Sequence, residues 1–473
     1  MSRGAVDSLG TRADARGARI RPSRSKLLAG GAVDERLSFR YADRAVCAQL
    51  GGFHLQRMVS VVDLSPQKLD RHEAASGNRG AFMTDHAGGG ISVTRSPRTF
   101  CFALAALLCI ALAPRAISES RPQAAAPAAP TQDYLVYVVC ESADKVVLLR
   151  FGPHGLQEVH ETHIGIMPVD INGPHGIAIS PDKQFVYVSV GHGRPDGSVW
   201  KMKAGTEEVV KYAPLGLFPA TADISKDGEF LYVANANFHG DMVPSSVSVV
   251  ATDPMIEVKR ITTCTMPHGS RLSPDGTKQY SACMMDDMVT EIDTQKFDVA
   301  RTFMLTSGKE MGMDGAPRMQ MNMKELTCVP TWAQPSNDGS EIYIACNKSN
   351  DIAVIDAATW KLSRRFAAGN GVYNLAMTKD GRLVATNKRG QSVSIFDPKS
   401  GKELARLPTK RKVVHGAVVT PDNRYAFISV EGVGDDPGTV EVIDLDAMKT
   451  VATLDVPTQA AGIDFWKTEP SKH

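Results

Sequence analysis

The residues with most capacity for chemistry are histidines, and three of them share one setting. Pro-His-Gly at His175 and His268, and Val-His-Gly at His415, are each followed five residues on by Ser/Thr-Pro-Asp. Neutral imidazoles gathered at suitable spacing are ligands for transition metals. Three further histidines, His163, His192 ("VGHGRPDG") and His239 ("ANFHGD"), end or follow short apolar runs. The stretch "MPHGSRLSPDGTKQYSACMMDD", Met266 to Asp287, adds a cysteine and more methionines to one of these settings. Beyond it, "MLTSGKEMGMDGAPRMQMNMKELTC" carries Met304, Met311, Met313, Met319, Met321 and Met323. Such thioethers suit Cu(I) or form a flexible apolar lid. A structural reading competes for each histidine: opening a strand, it can simply hydrogen-bond nearby backbone.

What must position these residues is a repeat. A short apolar strand, a Ser/Thr-x-Asp-Gly-like turn and an aromatic or β-branched strand recur at Pro174, Pro219, Pro267, Pro330, Val372 and Val414. A second hairpin follows most copies: "SVSVV" at Ser246, "MVTEID" at Met288, "DIAVID" at Asp351, "SVSIFD" at Ser392, "TVEVID" at Thr439. Four short strands in each unit of about 45 residues are the signature of a β-propeller blade. The ends supply a seventh unit. "YLVYVVCESADKVVLLRF" at Tyr134 lacks a first strand, and "QAAGIDFW" at Gln459 is a lone one. Pairing them closes the ring and removes the open edge. The expected fold is all-β: a seven-bladed propeller of four-stranded antiparallel blades over residues 134–466, with a short tail at 467–473.

Geography follows from the repeat. First strands line the central channel, and the Asp-Gly turns at Asp227, Asp275, Asp338 and Asp380 lie on one face, where glycine supplies the positive φ a tight hairpin needs. Strand-one starts and the loops after strand two therefore share the opposite, top face. His175, His268 and His415 ring the channel mouth there, with Ala220, Thr331 and Tyr373 at the matching places. His163, His192 and His239 reach the same face, so six of the chain's 12 histidines project onto one rim. Antiparallel register brings Cys264 near Cys283 and Cys328 near Cys346. Two bridges are expected, leaving Cys140 free; the competing use of Cys283 and Cys346 is as thiolate ligands beside the histidines.

The phrases "SPDG", "YVAN", "SVSVV" and "TVATLDV" resemble the YVTN-type seven-bladed propeller repeats of exported and surface-layer proteins. The resemblance implies the fold, but propellers host binding proteins and enzymes alike.

Composition is ordinary for a globular chain, 43% hydrophobic and 22% charged. Residues 1–98 hold 16 Lys/Arg against 9 Asp/Glu, leaving 37 against 43 in the rest. That mildly acidic remainder argues against nucleic acid as a partner. From Arg95, a basic start and an apolar run Phe100 to Ala113 read as a signal peptide over residues 95–117, too short to span a bilayer comfortably. Its depth in the chain places the translation start at Met83 or Met58, with 1–94 a mis-assigned start or a disordered leader. A Pro/Ala-rich linker covers 118–133, and the mature chain is periplasmic or secreted, with no transmembrane span.

Several catalytic signatures are absent: no Gly-rich phosphate loop, G-x-S-x-G, C-x-x-C-H or H-E-x-x-H occurs. The first functional expectation is a module binding a small ligand or protein through its top face. The alternatives are a redox enzyme with His-ligated copper or haem, similar in architecture only to nitrous oxide reductase, the haem d1 domain or methanethiol oxidase, and a lactonase-like hydrolase. His175, His268 and His415 are the candidate metal ligands.

Overall fold

The computed structural model describes residues 129–471 save 168, 193–195 and 318–324. The expected leader, signal peptide and most of the linker lie outside the described residues. Seven antiparallel sheets follow one another in chain order, and all but the first are built of strands that pair in sequence order. Blade 2, for example, runs Pro174–Ile179, Phe185–Val190, Ser198–Lys203 and Val209–Pro214. No helix among the described residues is long and apolar enough to cross a membrane.

Closure occurs where the two ends of the repeat meet. The strand Ala460–Pro470 pairs antiparallel with Gln132–Cys140, making the innermost strand of blade 1 from the far end of the chain. It continues to Pro470, opposite Gln132. One feature exceeds the repeat: blade 4 gains a fifth strand, Met311–Asp314, from the methionine-rich insertion, pairing with Asp298–Met304.

Inner strands are buried on both faces, so they read as continuous apolar runs instead of alternating ones. Val136, Val138, Val186, Val188, Val233, Ile344 and Ile428 are all fully buried between blades. Each contributes about 1.5–3 kcal/mol of transfer energy. Aromatic rings lock the closure seam: Tyr134 and Phe151 of blade 1 meet Tyr425 of blade 7 edge-on, at 5.1 and 5.0 Å between ring centres.

The turns of the quiet face explain the Ser/Thr-x-Asp phrase. In blade 4, Ser273 Oγ donates to the Asp275 carboxylate at 2.5 Å, and the same Asp275 oxygen accepts the Thr277 N–H at 3.0 Å. Gly276 follows at φ +76°. The carboxylates of Asp182, Asp227, Asp275 and Asp338 are held below their ordinary range chiefly by the hydroxyl donated to each, Asp338 to about 2.

Candidate functional site

Two rings of equivalent positions meet at the top mouth of the channel. The inner ring is the second residue of each first strand: His175, Ala220, His268, Thr331, Tyr373, His415 and, in blade 1, Ala461. A register shift between first and second strands falls at this point in blades 2 to 7, and such bulges re-aim side chains. The outer ring is the residue just after each second strand: Glu141, Gly191, Ala236, Met284, Asn347, Lys388 and Glu431.

Neighbouring blades clasp the inner ring by its backbone. Thr386 Oγ1 donates to the His415 carbonyl at 2.8 Å, Ser189 Oγ to that of Ala220 at 3.1 Å, and Thr331 Oγ1 to that of Tyr373 at 2.8 Å. The approach is close enough to need glycine after the histidine. A Cβ on Gly176 would stand 2.2 Å from the Ala220 carbonyl oxygen, and one on Gly269 2.3 Å from that of Thr331. The His-Gly pairing is thus a packing requirement at the glycine, while the histidine side chain is left to do something else.

What the histidines do differs from blade to blade. His175 places Nδ1 2.7 Å from the Glu141 carboxylate, which can only accept, so Nδ1–H donates. Its Nε2 is buried with no hydrogen-bond partner. Burial opposes the Glu141 charge, yet His175, with help from Lys388, holds its carboxyl below the usual range. His268 is fully buried; its Nδ1–H donates to the Thr331 carbonyl at 3.0 Å, and its bare Nε2 accepts from the Tyr373 hydroxyl at 3.1 Å. Burial pushes the His268 pKa down to about 3 and raises that of Tyr373 to about 12. His415 is 3% exposed, and neither ring nitrogen has a hydrogen-bond partner; the nearest carboxylate, Glu431, is 3.7 Å from Nε2. Burial, then the Lys388 charge, drive its pKa well below the ordinary value, against a contact to the Ala461 backbone that is too poor in geometry to count as a hydrogen bond.

The rings touch. His175 lies 5.2 Å from His415 and 5.8 Å from His268, centre to centre, and Tyr373 lies 4.9 Å from His415 and 5.4 Å from His268. Lys388 Nζ sits 4.3 Å from the centre of the Tyr373 ring and 2.6 Å from Glu431. Desolvation works against that ammonium, but Glu431 and Tyr373 hold its pKa above the ordinary lysine value.

The six rim histidines therefore separate into groups. His175, His268 and His415 come together. His192 and His239 stack at 5.1 Å beside Phe218, itself 5.6 Å from His175. His163 ends the outermost strand of blade 1, exposed, and makes no ring contact with the others. Four site residues escaped the sequence reading: Glu141, Lys388, Glu431 and the functional use of Tyr373. The three charged ones share one repeat position, the residue straight after strand two, in "VVCE", "ATNK" and "ISVE".

The expected bridges are present: Cys264 with Cys283 and Cys328 with Cys346, at Cα separations of 5.8 and 4.4 Å. This overturns the thiolate-ligand alternative, because both candidate sulfurs are bonded to sulfur. Cys140 is free and buried, its thiol pushed up to about 12 by burial. Met304 packs with Cys264, Cys283 and Met288 in a buried cluster against which Met313 leans, while Met311 is exposed; Met319, Met321 and Met323 lie outside the described residues. Of the acidic pair at Asp286 and Asp287, the second spends its carboxylate on the N–H groups of Thr327, Cys328 and Val329. It anchors the segment after the insertion. Among the described residues, no group of three or more His, Cys, Asp or Glu is arranged to hold a metal ion.

A family model, the seven-bladed β-propeller lactonases, matches residues 123–250. That stretch contains Glu141, His175, His192 and His239. No curated protein matches the chain. Among solved structures, the periplasmic gluconolactonase PpgL of Pseudomonas aeruginosa is 17% identical, covers 71% of this chain and 99% of its own, and superposes with a TM-score of 0.55. Putative 6-phosphogluconolactonases of Bacteroides fragilis and Bacteroides uniformis are 16% and 14% identical, each covering 71% of this chain, and 98% and 100% of their own, both at a TM-score of 0.54. At these identities the likeness speaks for the fold.

Proposed function

We propose that the chain is a lactonase-like hydrolase that opens a small cyclic ester at the top mouth of the channel. The observation that carries this is the Glu141–His175 pair: a carboxylate fixing Nδ1–H at 2.7 Å and leaving a buried, unpartnered Nε2. Carboxylate–imidazole pairs of this kind hold one tautomer and make the free nitrogen a general base. The lactonase family match over the stretch holding both residues adds support.

In this reading water attacks the lactone carbonyl carbon as His175 Nε2 takes its proton. The Lys388 ammonium faces the developing oxyanion. Collapse breaks the ring C–O bond, and Nε2–H returns the proton to the departing alkoxide, giving one hydroxy acid. His268 and Tyr373 position the cluster through their mutual hydrogen bond. The same proposal takes the protein to be exported, on its two disulfides and the apolar run at Phe100 to Ala113.

The test is a pH-stat assay of the purified chain on a panel of γ- and δ-lactones. We expect ring opening that falls about 100-fold or more in His175→Ala and clearly in Glu141→Gln. A chain that opens no lactone, or opens one equally well without His175, would falsify the reading.

A second reading places copper, or a haem iron, on the same histidines. The buried unpartnered nitrogens of His175 and His415 favour it. Against a fit, His268 Nε2 is engaged by Tyr373, so a three-histidine site requires that hydroxyl to move away. Metal analysis and an absorption spectrum of the exported protein separate the two readings.

A further inference from the structure

The mouth of the channel has two unlike halves. Every charged residue of the outer ring, Glu141, Lys388 and Glu431, comes from blades 1, 6 and 7, whereas blades 2, 3 and 4 contribute Gly191, Ala236 and Met284. Beside this second half, Phe218, Met266, Met284 and Met285 are buried in one apolar cluster against which Phe238 packs, only partly covered. The cluster abuts the histidines: Phe238 is 6.0 Å from His175 and 5.6 Å from His268, centre to centre. His175 itself is only 5% exposed, so a ligand reaches Nε2 by displacing neighbouring side chains, and Phe238 is a partly covered one among them.

The charged half offers no unpaired cation to a ligand that arrives already negatively charged. Lys388 is paired with Glu431 at 2.6 Å. The adjacent Arg389 spends its guanidinium on the amide and carbonyl oxygens of Asn347 and on Asn350. His268 and His415 are kept uncharged by burial. The outer ring itself holds two carboxylates and one ammonium, a balance that disfavours a phosphorylated or carboxylated ligand.

We propose that the substrate is an uncharged lactone carrying an alkyl or aryl substituent, with its ring at His175 and its substituent against Phe218, Phe238 and the methionines. Unbranched methionine and aromatic faces adapt to varied apolar shapes, so chain length matters more than branching. This rests on the hydrolytic reading for turnover, but not for binding.

The test has two arms. In the first, kcat/KM is compared across unsubstituted δ-valerolactone, δ-lactones with alkyl chains of rising length, glucono-δ-lactone and its 6-phosphate. We expect about a fourfold gain per methylene buried, and the sugar lactones to be the poorest. Phe238→Ser is expected to flatten the chain-length dependence, lowering kcat/KM most for the longest chains. Preference for either sugar lactone, or no gain with chain length, overturns the proposal and leaves the hydrolytic reading standing. In the second arm, calorimetry follows binding of a non-hydrolysable alkyl δ-lactam to wild type, Phe238→Ser and Met285→Ser. Lactam affinity that rises with chain length, and drops in both variants, in a chain that opens no lactone would sustain the apolar site and sink the hydrolase. Lactam affinity indifferent to both variants overturns the proposal directly.

Discussion

The two mouths of the central channel are lined by the same seven first strands, three residues apart, yet they treat polar groups in opposite ways. At the quiet end the fifth residues include Asp223, Arg271, Gln334 and Asp464 around a cavity of about 230 Å³. Each of the two carboxylates there accepts two backbone N–H groups: Asp223 those of Leu272 and Ile224, Asp464 those of Ile179 and Phe465. Arg271 donates to the Ser270 carbonyl and lies 4.6 Å from the centre of the Trp332 ring. At the top end, His175 has one buried ring nitrogen without a hydrogen-bond partner and His415 has two. Unsatisfied buried polar atoms cost about 1–3 kcal/mol each. The carboxylates named at the quiet mouth are satisfied while two histidines at the top mouth are not, which supports the top mouth as the working end proposed above.

The sharpest way to break this comparison is to unpair a charge at the top. Glu431→Gln leaves the Lys388 ammonium at the mouth with no carboxylate at 2.6 Å. Removing one partner of a part-buried pair is costly, and we expect a loss of about 1–3 kcal/mol in denaturant unfolding. Replacing both, as Lys388→Met with Glu431→Leu, should recover most of that loss. A single variant as stable as wild type would mean that the top pair is solvated and the two mouths are less different than drawn.

How far this contrast was legible in the sequence depends on period. Blade count, ring closure and the Cys264–Cys283 and Cys328–Cys346 bridges follow from a repeat whose register is fixed by two-residue alternation and by Asp-Gly turns. The convergence of His175, His268 and His415 followed too, because equivalent positions in a closed ring must meet at its axis. Glu141 and Lys388 did not stand out, since each is the first loop residue after a strand, and nothing local distinguishes a loop residue turned inward from one facing water. The fifth strand Met311–Asp314 was hidden for a related reason. Its sequence, "MGMD", has no strand propensity of its own, and it pairs only because the outer edge of blade 4 is there to receive it.

The quiet mouth allows a milder test with a definite sign. Burial pushes the carboxyls of Asp223 and Asp464 up, against the opposing charge of Arg271. A carboxyl whose folded pKa is raised favours folding most below its unfolded pKa, and that contribution is lost as pH rises through the folded value. The turn carboxylates of Asp182, Asp227, Asp275 and Asp338 run the other way: their contribution is present above the unfolded pKa and lost as pH falls through the folded one. Asp464→Asn should therefore cost least, or even stabilise, at pH 7. Relative to wild type, it should lose stability as the pH drops toward 4, where the native carboxyl protonates. Urea midpoints at pH 7 and pH 4.5 read this out. A variant equally weakened at both values would show that Asp464 acts only through its two hydrogen bonds.

The smallest effect belongs to a turn on the quiet face. Four of the six turns place glycine at the left-handed position, with Gly228, Gly276, Gly339 and Gly381 between φ +72° and +94°. The turn after the His415 strand uses Asn423 at +63°, a residue that tolerates this region, whereas the turn after the His175 strand uses Lys183 at +63°. Lysine there carries the Cβ strain with no ion pair among the described residues, its charge acting only at longer range on the Asp464 carboxyl. Its carbonyl does accept the Trp466 indole N–H at 2.8 Å, a bond that glycine would keep. Lys183→Gly should relieve about 1–2 kcal/mol of backbone strain and return part of it through the freer unfolded chain. The expected net gain is about 0.5–1 kcal/mol, visible as a small rise in Tm. Asn423→Gly should gain less, because asparagine already visits that conformation. If the two substitutions gain equally, or Lys183→Gly destabilises, then the lysine is held there by something other than tolerance of strain, and the quiet face is less passive than its satisfied hydrogen bonds imply.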